Sequence, residues 1–305
     1  MSVSAPVSDA VPPAVAAPTA RALAHRRARR LFWFALVGLV AITAACILGP
    51  MLLDASRGQQ ALGDRLMPPA WLPDSLPGRL LGTDAFGRDL LYRTLEGGRV
   101  SLLVGFGAAT GSVAIGATLG LAAGWRGGWL DRVVGALADV WLAFPFLVIA
   151  LAAVAVLGSD VQVLIGLLTL GGWVLPTRVT RTVVRRVRGD DHVAAARGAG
   201  ASDAYILRRH ILPEIVPANI VVWSFTVGTL VVIEGALSFL GLGVKPPLPS
   251  WGSMLNSGTT FLQTAWWIAL WPGLMLVLTV LATNGVGTGL RRMLDLSDTT
   301  DGGGA

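Results

Sequence analysis

Residues 188–213 read RGDDHVAAARGAGASDAYILRRHILP, the longest polar interval in the second half of the chain, with apolar runs on both sides. Asp190 and Asp191 are placed to cap a short helix reaching Ala199, because a carboxylate there accepts from free first-turn N–H groups. Gly200 supplies a turn, since only glycine enters left-handed backbone space without strain. Ser202 is placed to cap a second helix over 203–212, starting at Asp203, and Pro213 stops it by lacking an N–H. The pattern predicts two short helices joined by a small-residue elbow, Gly200-Ala201, a knob small enough to seat in a cleft on another protein. An ordinary amphipathic loop fits the same residues, and the segment alone does not separate the two.

The surrounding composition supplies the setting. The chain has 305 residues, 53% of them hydrophobic and 14% charged, with a mean hydropathy of +0.66. Soluble domains carry about 25% charge, so the departure points into a membrane. The net charge of +6 does not imply nucleic acid, because the arginines gather at the ends of apolar runs. The single cysteine, Cys46, excludes an intrachain disulfide and a cysteine-based metal cluster, and it reads as a small buried thiol in a helix.

Six apolar runs follow a polar start, at 31–53, 100–125, 133–157, 161–177, 215–244 and 265–290. About 20 helical residues cross the ~30 Å hydrocarbon layer. Five runs meet that length; the fourth is short, and snorkelling of Arg178 and Arg181 would extend it. Residues 1–30 are expected to form a disordered cytoplasmic tail ending in five arginines, with the first run kept as an anchor rather than cleaved. With six crossings both termini lie in the cytoplasm. The proposed inner segments then hold 17 of the 24 basic residues, and the outer ones hold seven together with seven acids. That asymmetry follows the positive-inside rule and puts 188–213 in the cytoplasm. Glycines such as Gly105, Gly111, Gly116 and Gly120 in the second run let helices approach closely.

Further motifs carry a resemblance. Residues 81–93 read LGTDAFGRDLLYR, 234–243 read EGALSFLGLG and 246–255 read PPLPSWGSML. Together with Gly127-Gly-Trp-Leu-Asp131, Asp139, Phe144-Pro145 and Trp271-Pro-Gly, these resemble the signatures of dipeptide and oligopeptide permeases of ATP-binding-cassette importers, the C-type subunit. The external signature falls on Gly82, Thr83, Asp84, Gly87, Arg88, Asp89, Pro249, Trp251 and Gly252. Departures are Tyr92 for a serine, Ala136 for an arginine one turn before Asp139, and Gly287-Thr-Gly-Leu-Arg-Arg where two acids are usual. Residues 188–213 resemble the family's EAA loop through Ala194, Ala195, Ala196, Gly200, Leu212 and Pro213, with Ala194 replacing the glutamate and His210 an isoleucine.

The resemblance implies an all-α membrane protein with the type-1 importer transmembrane fold. It divides the chain into a tail (1–30), a first span with an extracytoplasmic segment (31–96), a transmembrane domain (97–292) and a cytoplasmic tail (293–305). It implies a homologous partner permease, two cytoplasmic ATPase subunits, an extracytoplasmic solute-binding protein and a peptide cargo. In that frame the loop, with Asp191, Gly200, Ala201, Ser202, Asp203 and His210, is the coupling element. Related permeases carry nickel or glutathione, which the same motifs would fit.

Chemistry absent from the chain agrees with this. The only lysine, Lys245, stands outside any GxxxxGK[ST] loop, so this chain is not expected to be its own ATPase; the resemblance implies a non-enzymatic subunit, with ATP and magnesium held by the partner ATPase. No H-E-x-x-H or G-x-S-x-G supplies a protease or hydrolase. Metal binding is not expected, because His192 and His210 lie 18 residues apart without a third ligand nearby. Two carboxylates fall inside apolar runs, too few for a proton-driven carrier. Asp139 suits a pair with a neighbouring helix, and Glu234 suits either a pathway or gate residue or a buried hydrogen-bonding cap. Trp251, Trp266, Trp267 and Trp271 read as interfacial anchors.

Overall fold

The computed structural model describes residues 18–301, and among them it is helical without strands. The predicted disorder of residues 1–17 lies outside the described residues. From Pro18 the expected tail is instead helical, because α1 runs Pro18–Leu52 and carries the arginine cluster on its first turns. Proline is favoured at a first helical position, and the Ala-, Leu- and Arg-rich residues behind it are strong helix formers.

Four helices are long and apolar enough to cross a membrane, and two bent pairs bring the number to six if each pair is one span. The four lie in α1, in α2 (Leu90–Arg126), in the continuous helix Asp203–Phe239 and in α11 (Trp267–Asp301). The third apolar run divides into α3 (Gly128–Ala143) and α4 (Phe146–Leu157), meeting at 82°. Pro145 causes the break: it pushes Phe144 into extended backbone at φ −102° and ψ 134°. The fourth run divides into α5 (Val161–Gly172) and α6 (Val174–Arg188), bent by 42°. Pro176 has no N–H for the Gly172 carbonyl, so the ladder is interrupted there. At 12 residues α5 covers only about 18 Å by itself.

Helix α2 is the spine, packed against α1, α5, α6 and the fifth-run helix. It meets α6 nearly backbone to backbone, since Gly116 faces the Trp173 carbonyl and Gly120 the Thr177 carbonyl. Any side chain at either glycine would drive the helices apart. Helix α1 lies antiparallel to both α2 and α11: Gly49 meets Leu95, while Phe32 meets Gly289. The buried centre comprises Val104, Ala108, Leu164, Leu168, Leu230, Val231 and Trp251, and Cys46 is a fully buried free thiol within it. Many apolar side chains outside this core stay exposed, including Phe34, Val156 and Leu281, as lipid-facing surface requires.

The expected partner of Asp139 comes from another helix. Arg178 Nη2 donates to its Oδ1 at 2.6 Å, and Arg181 forms a bidentate pair with Asp131. Both arginines therefore tie α6 to α3 rather than reaching freely to the interface.

Candidate functional site

Residues 188–213 fold into the predicted knob, with three differences. Helix α7 spans Asp191–Gly198; Asp190 sits at its N-cap, but no side-chain hydrogen bond caps it. Its backbone carbonyl takes the Val193 and Ala194 N–H groups instead, at 3.0 and 3.1 Å. The elbow behaves as expected. Gly200 has φ +85°, its N–H donates to the Arg197 carbonyl at 3.0 Å, and Ala201 N–H donates to the Ala196 carbonyl at 3.0 Å. That pair of bonds is the Schellman stop, which satisfies helix-end carbonyls through a left-handed residue. Nothing lies within 4 Å of where a Gly200 Cβ would stand, so its backbone angle, not space, demands glycine.

Ser202 then caps α8 (Asp203–Ile206), its hydroxyl accepting from Tyr205 N–H at 3.3 Å. Pro213 does not stop the second helix. A π turn over Leu207–Ile211 joins α8 to α9 (Leu212–Phe239), and Pro213 lies in the first turn of α9. The wider turn accommodates the missing proline donor, so the loop's second arm continues directly into a membrane-spanning helix.

The knob has a buried root and an open face. Val193, Ile206 and Ile211 pack with Val184, Val187 and Ile215, with Ala201 beside them. Ala194, Ala195, Asp203, Leu212 and Pro213 face outward, and Asp191 does too; Ala196 and His210 are half-buried. The Arg188 and Arg197 guanidiniums lie 5.9 and 5.5 Å from the Trp125 ring, clasping the end of α6 and the first arm to the end of α2. Reading the sequence missed this clasp, because Trp125 entered it only as the end of the second apolar run.

At the other end of the bundle, the external signature folds into a knot. Asp84 Oδ1 accepts from the N–H groups of Phe86 and Arg88 at 2.8 and 3.0 Å, and its Oδ2 from Arg88 Nε at 2.7 Å. Asp89 Oδ1 caps α2 through Leu91 and Tyr92 N–H, while its Oδ2 accepts from Arg57 and Arg79 at 2.8 and 3.2 Å. Thr83 donates to the Asp64 carbonyl at 2.5 Å and accepts from Met67 N–H at 2.9 Å. Gly82 and Gly87 have φ +83° and +73° and press against the backbone of Met67 and Ala61.

The second signature closes the same end. After α9 ends at Phe239, Ser250 caps α10 (Trp251–Thr259) through a reciprocal capping box with Ser253. Pro249 and Gly252 are buried, and Gly252 packs on the Gly235 backbone. Trp251 is fully buried, with its indole N–H on the Thr94 carbonyl at 2.9 Å and its backbone N–H on Ser101 Oγ at 3.2 Å. Trp267 is also buried. These two are core residues rather than interfacial anchors, because their N–H groups are spent on protein carbonyls. Trp266 stays exposed.

Glu234 is wholly buried where α9 meets α2 and α10. Its Oε1 accepts from Ser238 Oγ at 2.6 Å, with the Ser101 and Ser250 hydroxyls beside the carboxyl. A cleft of about 850 Å³ opens beside the knot, bounded by Gln59, Tyr92, Arg93, Glu96, Pro247 and Ser257. Among the described residues no group of three or more His, Cys, Asp or Glu could hold a metal.

Comparison with known proteins gives these two ends a family. Residues 116–297 match the family described as "Binding-protein-dependent transport system inner membrane component". The dipeptide transport system permease protein DppC of Alkalihalophilus pseudofirmus is 38% identical over 86% of this chain and 85% of its own. The di/tripeptide transport system permease protein DppC of Pseudomonas aeruginosa is 36% identical over 85% and 86%. The glutathione transport system permease protein GsiD of Pectobacterium atrosepticum is 40% identical over 70% and 71%. Among solved structures, a chain of the inward-facing MetNI methionine transporter superposes with a TM-score of 0.55 at 20% identity, covering 68% of this chain and 97% of that one. That likeness concerns the fold. The chain is thus a multi-pass membrane protein belonging to the family of binding-protein-dependent transport system inner membrane components.

Proposed function

We propose that this subunit is one of two homologous permeases of an ATP-driven importer, carrying dipeptides or short oligopeptides across the cytoplasmic membrane. The observation that carries the reading is the knob at 190–212. It has a stiff elbow, a root buried on α6 and α9, an open small-residue face, and a second arm continuous with a spanning helix. A chain without a phosphate loop needs such a lever to receive work from elsewhere. Two cytoplasmic ATPases, holding ATP and magnesium, would seat the two permeases' knobs. Their closure would rock each bundle about the seam between permeases. With its arginine-rich end inward, the chain keeps both termini in the cytoplasm.

At the external end the binding protein would dock over the folded segment 54–99 and the turn at 245–264. There the cleft beside Arg93 and Glu96 offers polar contacts. Glu234, enclosed within one chain, serves this scheme by holding α9 to α2 and α10 rather than as a gate. Dipeptide is the favoured cargo from the named permeases that span most of the chain; glutathione is the second reading, from the shorter match. Affinity purification in mild detergent is expected to recover a second permease, two ATPases and a binding protein. Vesicles rebuilt from them should take up labelled dipeptide only with ATP and lose that uptake to competing dipeptide more readily than to glutathione. Uptake without any ATPase chain would overturn the reading in favour of a secondary carrier.

A further inference from the structure

The knob brings together two side chains that the sequence keeps 18 positions apart. His192, exposed on α7, and His210, half-buried on the π turn, have ring centroids 5.2 Å apart with planes at 48°. Tyr205 flanks His210 at 6.1 Å, edge-on. One imidazole comes from each arm of the elbow, so their approach is made by the Gly200 turn.

The separation has a chemical meaning. Imidazole nitrogen binds a tetrahedral zinc ion at about 2.0–2.1 Å, which sets each ring centroid about 3.2 Å from the metal and two centroids about 5.2 Å apart. Imidazole is also a good donor to nickel and copper. We propose that His192 and His210 form a two-imidazole site for one divalent late transition ion, with zinc as the reference ligand. With no third protein donor among the described residues, water or a side chain of a docked partner completes the coordination. A bound ion bridges α7 to the π turn across the elbow and so holds the two arms at a fixed spacing. That consequence bears on the coupling role proposed above, but the binding itself does not depend on it.

The rival account is plain ring contact among His192, His210 and Tyr205. Calorimetric titration with Zn²⁺ of the full-length chain in detergent, purified without a histidine tag, separates them. One saturable ion per chain is expected. His192→Ala and His210→Ala should each weaken binding at least tenfold, His25→Ala should leave it unchanged, and His192→Asp, which keeps a donor but loses the ring, should weaken it less than His192→Ala. Hydrogen exchange across 191–211 should slow with Zn²⁺ in the unaltered chain and not in the two alanine variants. Absence of saturable binding, or an affinity in either alanine variant equal to that of the unaltered chain, overturns the proposal; so does a His192→Asp chain no better than His192→Ala. Because the chain is titrated alone, failure here leaves the ATPase reading standing, and failure of ATPase co-purification leaves this site standing.

Discussion

The two ends of the bundle use their motif residues in opposite ways. At the external end the strongest sequence signature is turned inward: Asp89, Trp251 and Thr83 are wholly buried and bonded to their own chain. At the knob the buried residues are ordinary aliphatics, and the motif's Ala194 and Ala195 point outward. A motif can therefore mark a fold that must be held or a surface that must be met, and its specificity does not say which. Burial does.

Breaking the knot at its centre should have the largest effect. Asp89→Ala removes the cap of α2 and leaves Arg57 and Arg79 without their shared carboxylate. Losing one side of a buried pair costs about 3–5 kcal/mol. We expect 53–89 to become open to limited proteolysis and the melting temperature in detergent to fall. Gly200→Pro should act nearly as strongly but elsewhere: proline fixes φ near −65° where +85° is needed, and it deletes the donor to Arg197. The bundle should stay folded while ATPase co-purification is lost. Normal co-purification would show that the elbow is not part of the contact.

Smaller changes sharpen the contrast. Gly200→Ala has room for its methyl group and should cost only the left-handed penalty of about 1–2 kcal/mol, weakening ATPase association without abolishing it. Ser202→Ala removes a long, exposed cap bond and should cost about 0.5–1 kcal/mol, read as faster exchange of the α8 amides. Smallest of all, Glu234→Gln preserves an acceptor for Ser238 in a wholly buried site, so ATP-driven uptake should remain near that of the unaltered chain if the residue is structural. A clear change in uptake with assembly intact would restore Glu234 as a pathway residue.

Much of the architecture was legible beforehand because its causes are local. The apolar runs, the Gly200 elbow and the Ser202 cap each depend on a few neighbouring residues and their backbone preferences. Pro213 was misread because a proline's effect depends on what the preceding turn can absorb, and the π turn at 207–211 absorbs it. The 82° break at Pro145 was hidden inside a run whose apolar length alone looked sufficient. The tryptophans misled for a related reason: an indole at the end of an apolar run suits an interface or a core equally. Only the Thr94 carbonyl, far away in sequence, decides for Trp251.

By itself, then, the sequence determined the membrane class, the helical runs, the distribution of charge along the chain and the lack of a GxxxxGK[ST] motif, because hydropathy, charge and motif residues need no partner to be read. The tertiary structure decided which carboxylates are buried and which cations they meet: Asp89, buried, meets Arg57 and Arg79, while Asp139, exposed on α3, meets Arg178. It also decided that His192 meets His210. These are contacts between residues from about 10 to 40 positions apart, and only the tertiary packing of the chain settles which donors reach which acceptors.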